Sequence, residues 1–442
     1  MRTPILLAAA VTIFLAPAAL VGQRAHYPPD TLSHELAQAW TRFANGDRDA
    51  IRALYESRKG SGPLIEPSGN PAELLVTFLW MGDESTEKVD LDGGLPAARS
   101  YPWNKDMFRL GDSNLWYRTE SIPSDARFQY GFYVNVPYLE FVSEQELMTQ
   151  FAAEHPTLPD PLNPVRTGSF SLLELPDAPD QPYARFRASV PRGGLHRDSL
   201  FSSQLSEQRR FTVYLPNEYE DGVSYPVLIV FDGETFGSLE SADVPLPTIL
   251  DNLIADDRIP PTVGVLVDNQ GTRRRDLPNN YRFSDFVVEE LLPVVRQRYS
   301  GSERREDVTV AGFSNGGLAA GFVALTHPES VANVLAIAGW WAHAENDYET
   351  RYSQAPDYLY ERGWIIREFA RRERLPLRFY MTVGRFDHYD VNNLAVNRHM
   401  RDVLTAKGYP LRYEEINTGH DRPSVPGMIT SGLIALAEDW SR

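Results

Sequence analysis

Residues 308–311 read Val-Thr-Val-Ala, a mostly β-branched apolar run. Gly312-Phe313-Ser314-Asn315-Gly316-Gly317 follows at once, and residues 318–325 continue as helix-forming sequence. A serine held in Gly-x-Ser-x-Gly between a strand and a helix has a specific chemical use. The turn is so sharp that the positions two before and two after the serine must lack side chains, and it lifts the hydroxyl clear of the sheet as a nucleophile. Gly312 and Gly316 meet that demand. The amide of Asn315 then opens the helix, where it can donate to an oxyanion forming on a carbonyl substrate.

A serine alone is a weak nucleophile and needs a base oriented by an acid. Of the nine histidines, five follow Ser314: His327, His343, His388, His399 and His420. His327 and His399 fall on or at the ends of helical runs and read as surface residues. His343 follows Trp340-Trp341 and reads as a pocket-lining alternative. Only His420 sits in a loop, Asn417-Thr418-Gly419-His420-Asp421, directly after a strand-like run at 411–416. The acid is expected between serine and histidine in chain order. The run at 377–383 ends in Gly384-Arg385-Phe386-Asp387-His388-Tyr389-Asp390. Asp387 is nearer the strand end and is preferred, with Asp390 as the alternative. Asp421 is set aside, because side chains of adjacent residues tend to point apart. A second oxyanion donor is expected in the loop after residues 227–231, from the backbone N–H of Gly233 or Glu234 in Asp232-Gly233-Glu234.

These groups need a scaffold that brings distant loops together. From residue 181 onward strand-like and helix-like runs alternate. Strands are predicted at 210–215, 227–231, 262–267, 308–311, 331–338, 377–383 and 411–416. Helices are predicted at 247–255, 283–298, 316–326, 358–372, 391–407 and 428–440. Continuous apolar strands alternating with helices imply a mostly parallel sheet covered on both faces. The chain order of serine, acid and histidine makes this an α/β-hydrolase pattern. The first half reads differently. A helical pattern over 31–58 gives way to short strands at 74–80, 114–118 and 128–136 with turns between them, which implies an immunoglobulin-like β-sandwich at 27–180. The Pro- and Asp-rich stretches 158–164 and 176–182 read as its connector to the catalytic domain at 181–442.

With these residues in place the chain resembles a known family. Tyr214-Leu215-Pro216, Tyr225-Pro226-Val227, Phe231-Asp232-Gly233, Glu290-Leu291-Leu292-Pro293 and the Gly312–Gly317 turn resemble the putative esterases, which include esterase D, feruloyl esterases, mycolyltransferases and enterochelin esterase. In the first half, Gly62-Pro63-Leu64-Ile65-Glu66-Pro67, Val76-Thr77-Phe78-Leu79-Trp80, Leu115-Trp116-Tyr117-Arg118-Thr119, Arg127-Phe128-Gln129-Tyr130 and Asp160-Pro161-Leu162-Asn163-Pro164 resemble enterochelin esterases in particular. The resemblance implies a serine esterase that cleaves a catecholate siderophore, enterobactin or its ferric complex. It places Arg273, Arg274 and Arg275 where the family carries an arginine motif. Such cations suit an anionic catecholate, although a basic loop is the plainer reading. Trp340 and Trp341 follow the strand beyond the serine turn, as an aromatic wall for a catechol ring or as core. Two other functions stay open: a broader carboxylesterase of feruloyl or sugar-ester type, and a non-catalytic ligand-binding scaffold. No cofactor and no metal are expected.

Composition bounds the rest. At 442 residues two domains are expected. A net charge of −17 argues against a partner tracked by its phosphates, so no nucleic acid is expected. The absence of cysteine rules out disulfides, thiolate metal sites and lipid attachment after a leader. Arg2 followed by the uncharged apolar run 4–21 has the layout of a cleaved secretory leader over residues 1–22, with export to the periplasm or medium. A membrane anchor is the alternative, disfavoured by the short run and by Pro17. Export departs from the cytoplasmic members that carry a sandwich of this kind. The sequence leaves the oligomeric state open.

Overall fold

The computed structural model describes residues 33–94, 106–136, 154–237, 243–343, 363–387 and 389–440. The leader expected at 1–22 and the side chain of Asp390 lie outside the described residues, as does residue 388.

Helices α1 (His34–Ala44) and α2 (Ala50–Ser57) precede eight short strands. These are β1 (Leu64–Pro67), β2 (Glu73–Met81), β3 (Val89–Gly93), β4 (Phe108–Arg109), β5 (Leu115–Pro123), β6 (Arg127–Val134), β7 (Arg166–Thr167) and β8 (Phe170–Glu174). They form two antiparallel sheets, ordered β1-β2-β5-β4 and β3-β6-β8-β7. Alternation along the strands sorts the side chains. Val76, Phe78 and Trp116 pack inward against Phe128, Tyr130 and Phe132. Leu79, Leu115 and Tyr117 face the other way and cover Leu36, Ile51 and Tyr55 of the two helices.

The stretch 158–164, read above as connector, belongs to this sandwich. Leu158 bridges to Phe132, and the fully buried Asp160 accepts a 2.7 Å bond from Tyr130 Oη while its own N–H donates to Ser171 Oγ. Proline and aspartate content suggested a linker. The buried aspartate instead caps a turn between β6 and β8.

The second domain carries β9 (Gly194–Ser202), β10 (Glu207–Leu215), β11 (Val227–Phe231), β12 (Val263–Val267), β13 (Val308–Phe313), β14 (Asn333–Ile337), β15 (Arg378–Gly384) and β16 (Leu411–Ile416). They form one sheet in the order β9-β10-β12-β11-β13-β14-β15-β16, antiparallel at β9–β10–β12 and parallel beyond. Strands β11, β12 and β14 are buried at every residue, because helices lie on both faces. These helices include α3 (Leu246–Ala255), α4 (Asn315–Thr326), α5 (Trp364–Arg371), α6 (Tyr389–Ala406) and α7 (Val425–Leu436). The fold is an α/β-hydrolase domain preceded by a β-sandwich. The crossing of order at β12-β11-β13 sets the loop after β11 beside the loop after β13, which is where ligands bind in such sheets. Among the described residues no helix is long and apolar enough to cross a membrane.

Candidate active site

Ser314 directly follows β13 and caps α4, with φ 60° and ψ −120°, a conformation that costs a non-glycine residue energy. Backbone bonds hold it there: its N–H donates to Ile337 O at 2.9 Å and its carbonyl accepts from Trp340 N at 3.1 Å. A Cβ added at Gly312 would overlap the Gly316 backbone, so the tight return of the chain requires glycine. The neighbouring strand β14 thus fixes the turn that exposes the hydroxyl.

Ser314 Oγ lies 2.9 Å from His420 Nε2, and His420 Nδ1 lies 2.8 Å from Asp387 Oδ2. Asp387 is fully buried, and Asn393 on α6 donates to the same oxygen at 2.8 Å while also bonding Ala338 O. The acid and base loops are tied together: Arg385 N donates to Ile416 O and Phe386 N to Thr418 O. Phe313 and Trp340 flank the imidazole, with ring centroids 4.8 Å and 5.8 Å away. The structure therefore brings Ser314, His420 and Asp387 into one chain of contacts. Asn393 was not singled out from sequence. It sits six residues past Asp387 inside a helix, and nothing in its neighbourhood marks it.

Asn315 opens α4, so its amide has no acceptor within the helix. Its side-chain oxygen lies 2.9 Å from His343 Nε2, which places His343 behind the turn, away from the role of base. Across the cleft, Asp232 adopts a left-handed conformation (φ 63°) that starts the one-turn helix Gly233–Phe236. A Cβ at Gly233 would fall 2.8 Å from Asp268 Oδ1 and 2.9 Å from the Leu266 backbone, so glycine is needed for the loop to sit against β12. The Glu234 carboxylate accepts from the N–H groups of Asn269 and Gln270, which braces the same loop.

The three arginines do not form one cationic patch. Arg273 grips Asp232 with two bonds, Nε to Oδ1 at 2.6 Å and Nη2 to Oδ2 at 2.9 Å. Burial works against its charge, but the Asp232 carboxylate raises the guanidinium above its ordinary range. Arg275 is engaged by Glu207 and Asp276, and its hydrogen bond to Glu207 does most to hold its proton. Half-buried Arg274 is the one of the three with no carboxylate partner among the described residues. The tryptophans also part company. Trp341 is fully buried and donates Nε1–H to Asn397 Oδ1 at 2.8 Å, so it is core. Trp340 stands beside His420.

A cavity lined by Arg305, Asn333, Arg374 and Arg378 opens at the amino ends of β13–β15, the far end of the sheet from Ser314. Among the described residues no cluster of His, Asp and Glu could hold a metal ion.

Comparison with known proteins adds to this geometry. The sequence profile described as putative esterase matches residues 202–426, and that described as enterochelin esterase, N-terminal, matches residues 75–184. An iron(III) enterobactin esterase from Dickeya dadantii is 26% identical over 408 residues, which cover 84% of this chain and 89% of the relative. One from Escherichia coli K12 is 28% identical over 391 residues, covering 82% and 90%. The crystal structure of a ferric enterobactin esterase from Salmonella typhimurium superposes with a TM-score of 0.68 over 87% of this chain and 98% of that one. At 23% identity this likeness speaks for the fold alone.

Proposed function

The chain belongs to the putative esterase family, and on that premise we propose that it hydrolyses the ester bonds of a catecholate siderophore of the enterobactin type. The observation that carries the chemistry is the contact chain Ser314–His420–Asp387 on a strained strand-to-helix turn. Neutral His420 takes the Ser314 proton on Nε2 as Oγ attacks the ester carbonyl. Asp387 holds the Nδ1 proton and stabilises the imidazolium. The oxyanion is received by the backbone N–H of Asn315 and by one from Gly233 or Glu234. The imidazolium then protonates the departing serine alkoxide of the trilactone, leaving an acyl-enzyme on Ser314. Water activated by His420 releases the acid and restores the serine.

The substrate class is supported by the relatives, two of which are iron(III) enterobactin esterases at 26% and 28% identity along most of both chains. Trp340 supplies an aromatic edge beside the base, and Arg274, which has no carboxylate partner among the described residues, is the cation of the triplet suited to an anionic catecholate. Purified protein given apo-enterobactin, ferric enterobactin, feruloyl esters and short acyl esters should show the highest kcat/KM on one of the two enterobactin forms. A preference for feruloyl or acetyl esters would replace the siderophore with a broader ester class. Ser314→Ala should lower every activity by several orders of magnitude and abolish labelling by a fluorophosphonate probe. Export is the second part of the proposal, supported by Arg2 and the uncharged run 4–21. Its test is the N-terminus of protein recovered from a periplasmic extract, which should begin close to residue 23.

A further inference from the structure

The loop that carries His420 is held from the other domain. Asp421 points away from the imidazole, toward the sandwich. Its Oδ2 accepts the backbone N–H of Gln129 on β6 at 2.8 Å, and its Oδ1 accepts from Thr418 Oγ1 at 2.9 Å. The carboxylate is 4% exposed, so these bonds are made away from competing water. Three more contacts join the same two segments. Arg127 N donates to Asn417 O at 3.1 Å, Asn417 Nδ2 to Asp125 Oδ1 at 2.6 Å, and Ser424 Oγ to Arg127 O at 3.3 Å. The Gly94 and Gly419 backbones meet across the boundary so closely that a Cβ on Gly419 would overlap Gly94. The acid loop is anchored as well: Phe386, next to Asp387, lies in the sandwich core with its ring edge-on to Phe128 at 6.1 Å.

From these contacts we infer that the sandwich is a working part of the catalytic site: β6 and Gly94 hold the 417–421 loop where the imidazole reaches Ser314 and Asp387 together, with Asp421 as the positioning residue that transmits the hold. The inference rests on the reading of Ser314 as nucleophile and His420 as base. Its physical ground is the steep cost of misplacement. A shift of about 1 Å in a reacting group lowers a rate by about a hundredfold, and the loop backbone bonds within its own domain through few residues. The sandwich supplies the missing restraint.

Three variants of the full chain test this. Asp421→Ala removes the tether, and kcat should fall about ten- to a hundredfold with KM nearly unchanged. Asp421→Asn keeps it, because the amide oxygen can face the Gln129 N–H and the amide nitrogen the Thr418 hydroxyl, and kcat should stay within a few-fold of wild type. Gly94→Ala leaves Asp421 in place but sets a methyl 2.8 Å from Asp421 Oδ2 and 2.8 Å from Gly419 Cα. It should lower kcat from the sandwich side, and the rate of fluorophosphonate labelling should drop in step. Near-ultraviolet circular dichroism confirms that each variant is folded. If folded Asp421→Ala and Gly94→Ala keep wild-type kcat, or change KM alone, the proposal fails. It also fails if Asp421→Asn loses as much as Asp421→Ala, since charge and not tethering would then be at work. His420→Ala is the control for the premise: full activity there would remove the base itself, whatever the tether variants do.

Discussion

Asp387 and Asn393 divide one task between them. The aspartate fixes the imidazole through a 2.8 Å contact, and the asparagine amide occupies a further lone pair of the same oxygen. In Asp387→Asn the negative charge that stabilises imidazolium is gone and the tautomer is no longer enforced. We expect kcat to fall by about 10³–10⁴, in line with losses of the orienting acid elsewhere. Asn393→Ala should cost roughly tenfold, since the acid remains but loses a restraint. Asp390→Asn should leave kcat close to wild type. Steady-state kinetics on one soluble ester orders the three, and an Asp390 effect larger than that of Asp387 would reassign the acid. At this scale the sequence was most legible where chemistry dictates residue type. Only glycine fits two places before the serine, a Cβ two places after it would crowd the Asp232 carboxylate, and a histidine in the loop after the last strand can reach the hydroxyl. The supports were not legible. Asn393 acts through a helix register, and the carboxylates that engage Arg273 and Arg275 come from the turn after β11 (Asp232), from β10 (Glu207) and from the residue next to Arg275 (Asp276).

Strand β13, helix α4 and strand β14 form the unit that presents Ser314, and Trp341 locks it. The indole fits against Gly321 of α4 and against Gly339, where added Cβ atoms would come 2.6 Å and 2.5 Å from the ring. Trp341→Ala should therefore destabilise the protein by about 3–5 kcal/mol, because it leaves a large cavity and an unbonded Asn397. Urea denaturation measures this directly. Trp340→Ala should act on substrate. Loss of an aromatic edge is worth about 0.5–1.5 kcal/mol, a rise in KM of about two- to tenfold for aromatic esters with little change for acetyl esters. If the two variants exchange these effects, the assignment of core and wall is reversed. Two adjacent tryptophans could not be told apart by pattern, because only the turn between them decides which faces inward. Burial alone did not decide which elements were legible: β16, only partly buried, was found, whereas β3, buried from Val89 to Leu91, was not. The fully buried β11, β12 and β14 were found, whereas the edge strand β9, which is exposed along about half its length, and the strands β1, β3, β4, β7 and β8 of the sandwich were not.

The two domains meet through residues far apart in the chain, and no local pattern reports such a junction: Gln129 and Asp421 are 292 positions apart. Burial there has a measurable signature. Loss of solvent pushes the Asp421 carboxyl up to about 7. The Gln129 N–H, the Thr418 hydroxyl and His420 pull in the other direction, and Asp387 adds to the rise. An aspartate in the unfolded chain titrates near about 3.9. Between these values the folded protein keeps a proton that the unfolded chain has released. The stability contributed by protonated Asp421 is thus fully present below about pH 4, declines as pH rises, and is lost above about pH 7. Asp421→Asn cannot ionise and is spared this decline. The melting temperature of the variant minus that of wild type should increase from pH 4.5 to pH 7 and then level off. The subtraction cancels the other carboxylates, which titrate alike in both proteins and, at a net charge of −17, would otherwise dominate the profile. Calorimetry at half-unit steps to pH 8.5 supplies the curve. A difference that stays flat across the range would mean that Asp421 titrates normally, and that water reaches the junction between sandwich and catalytic loop.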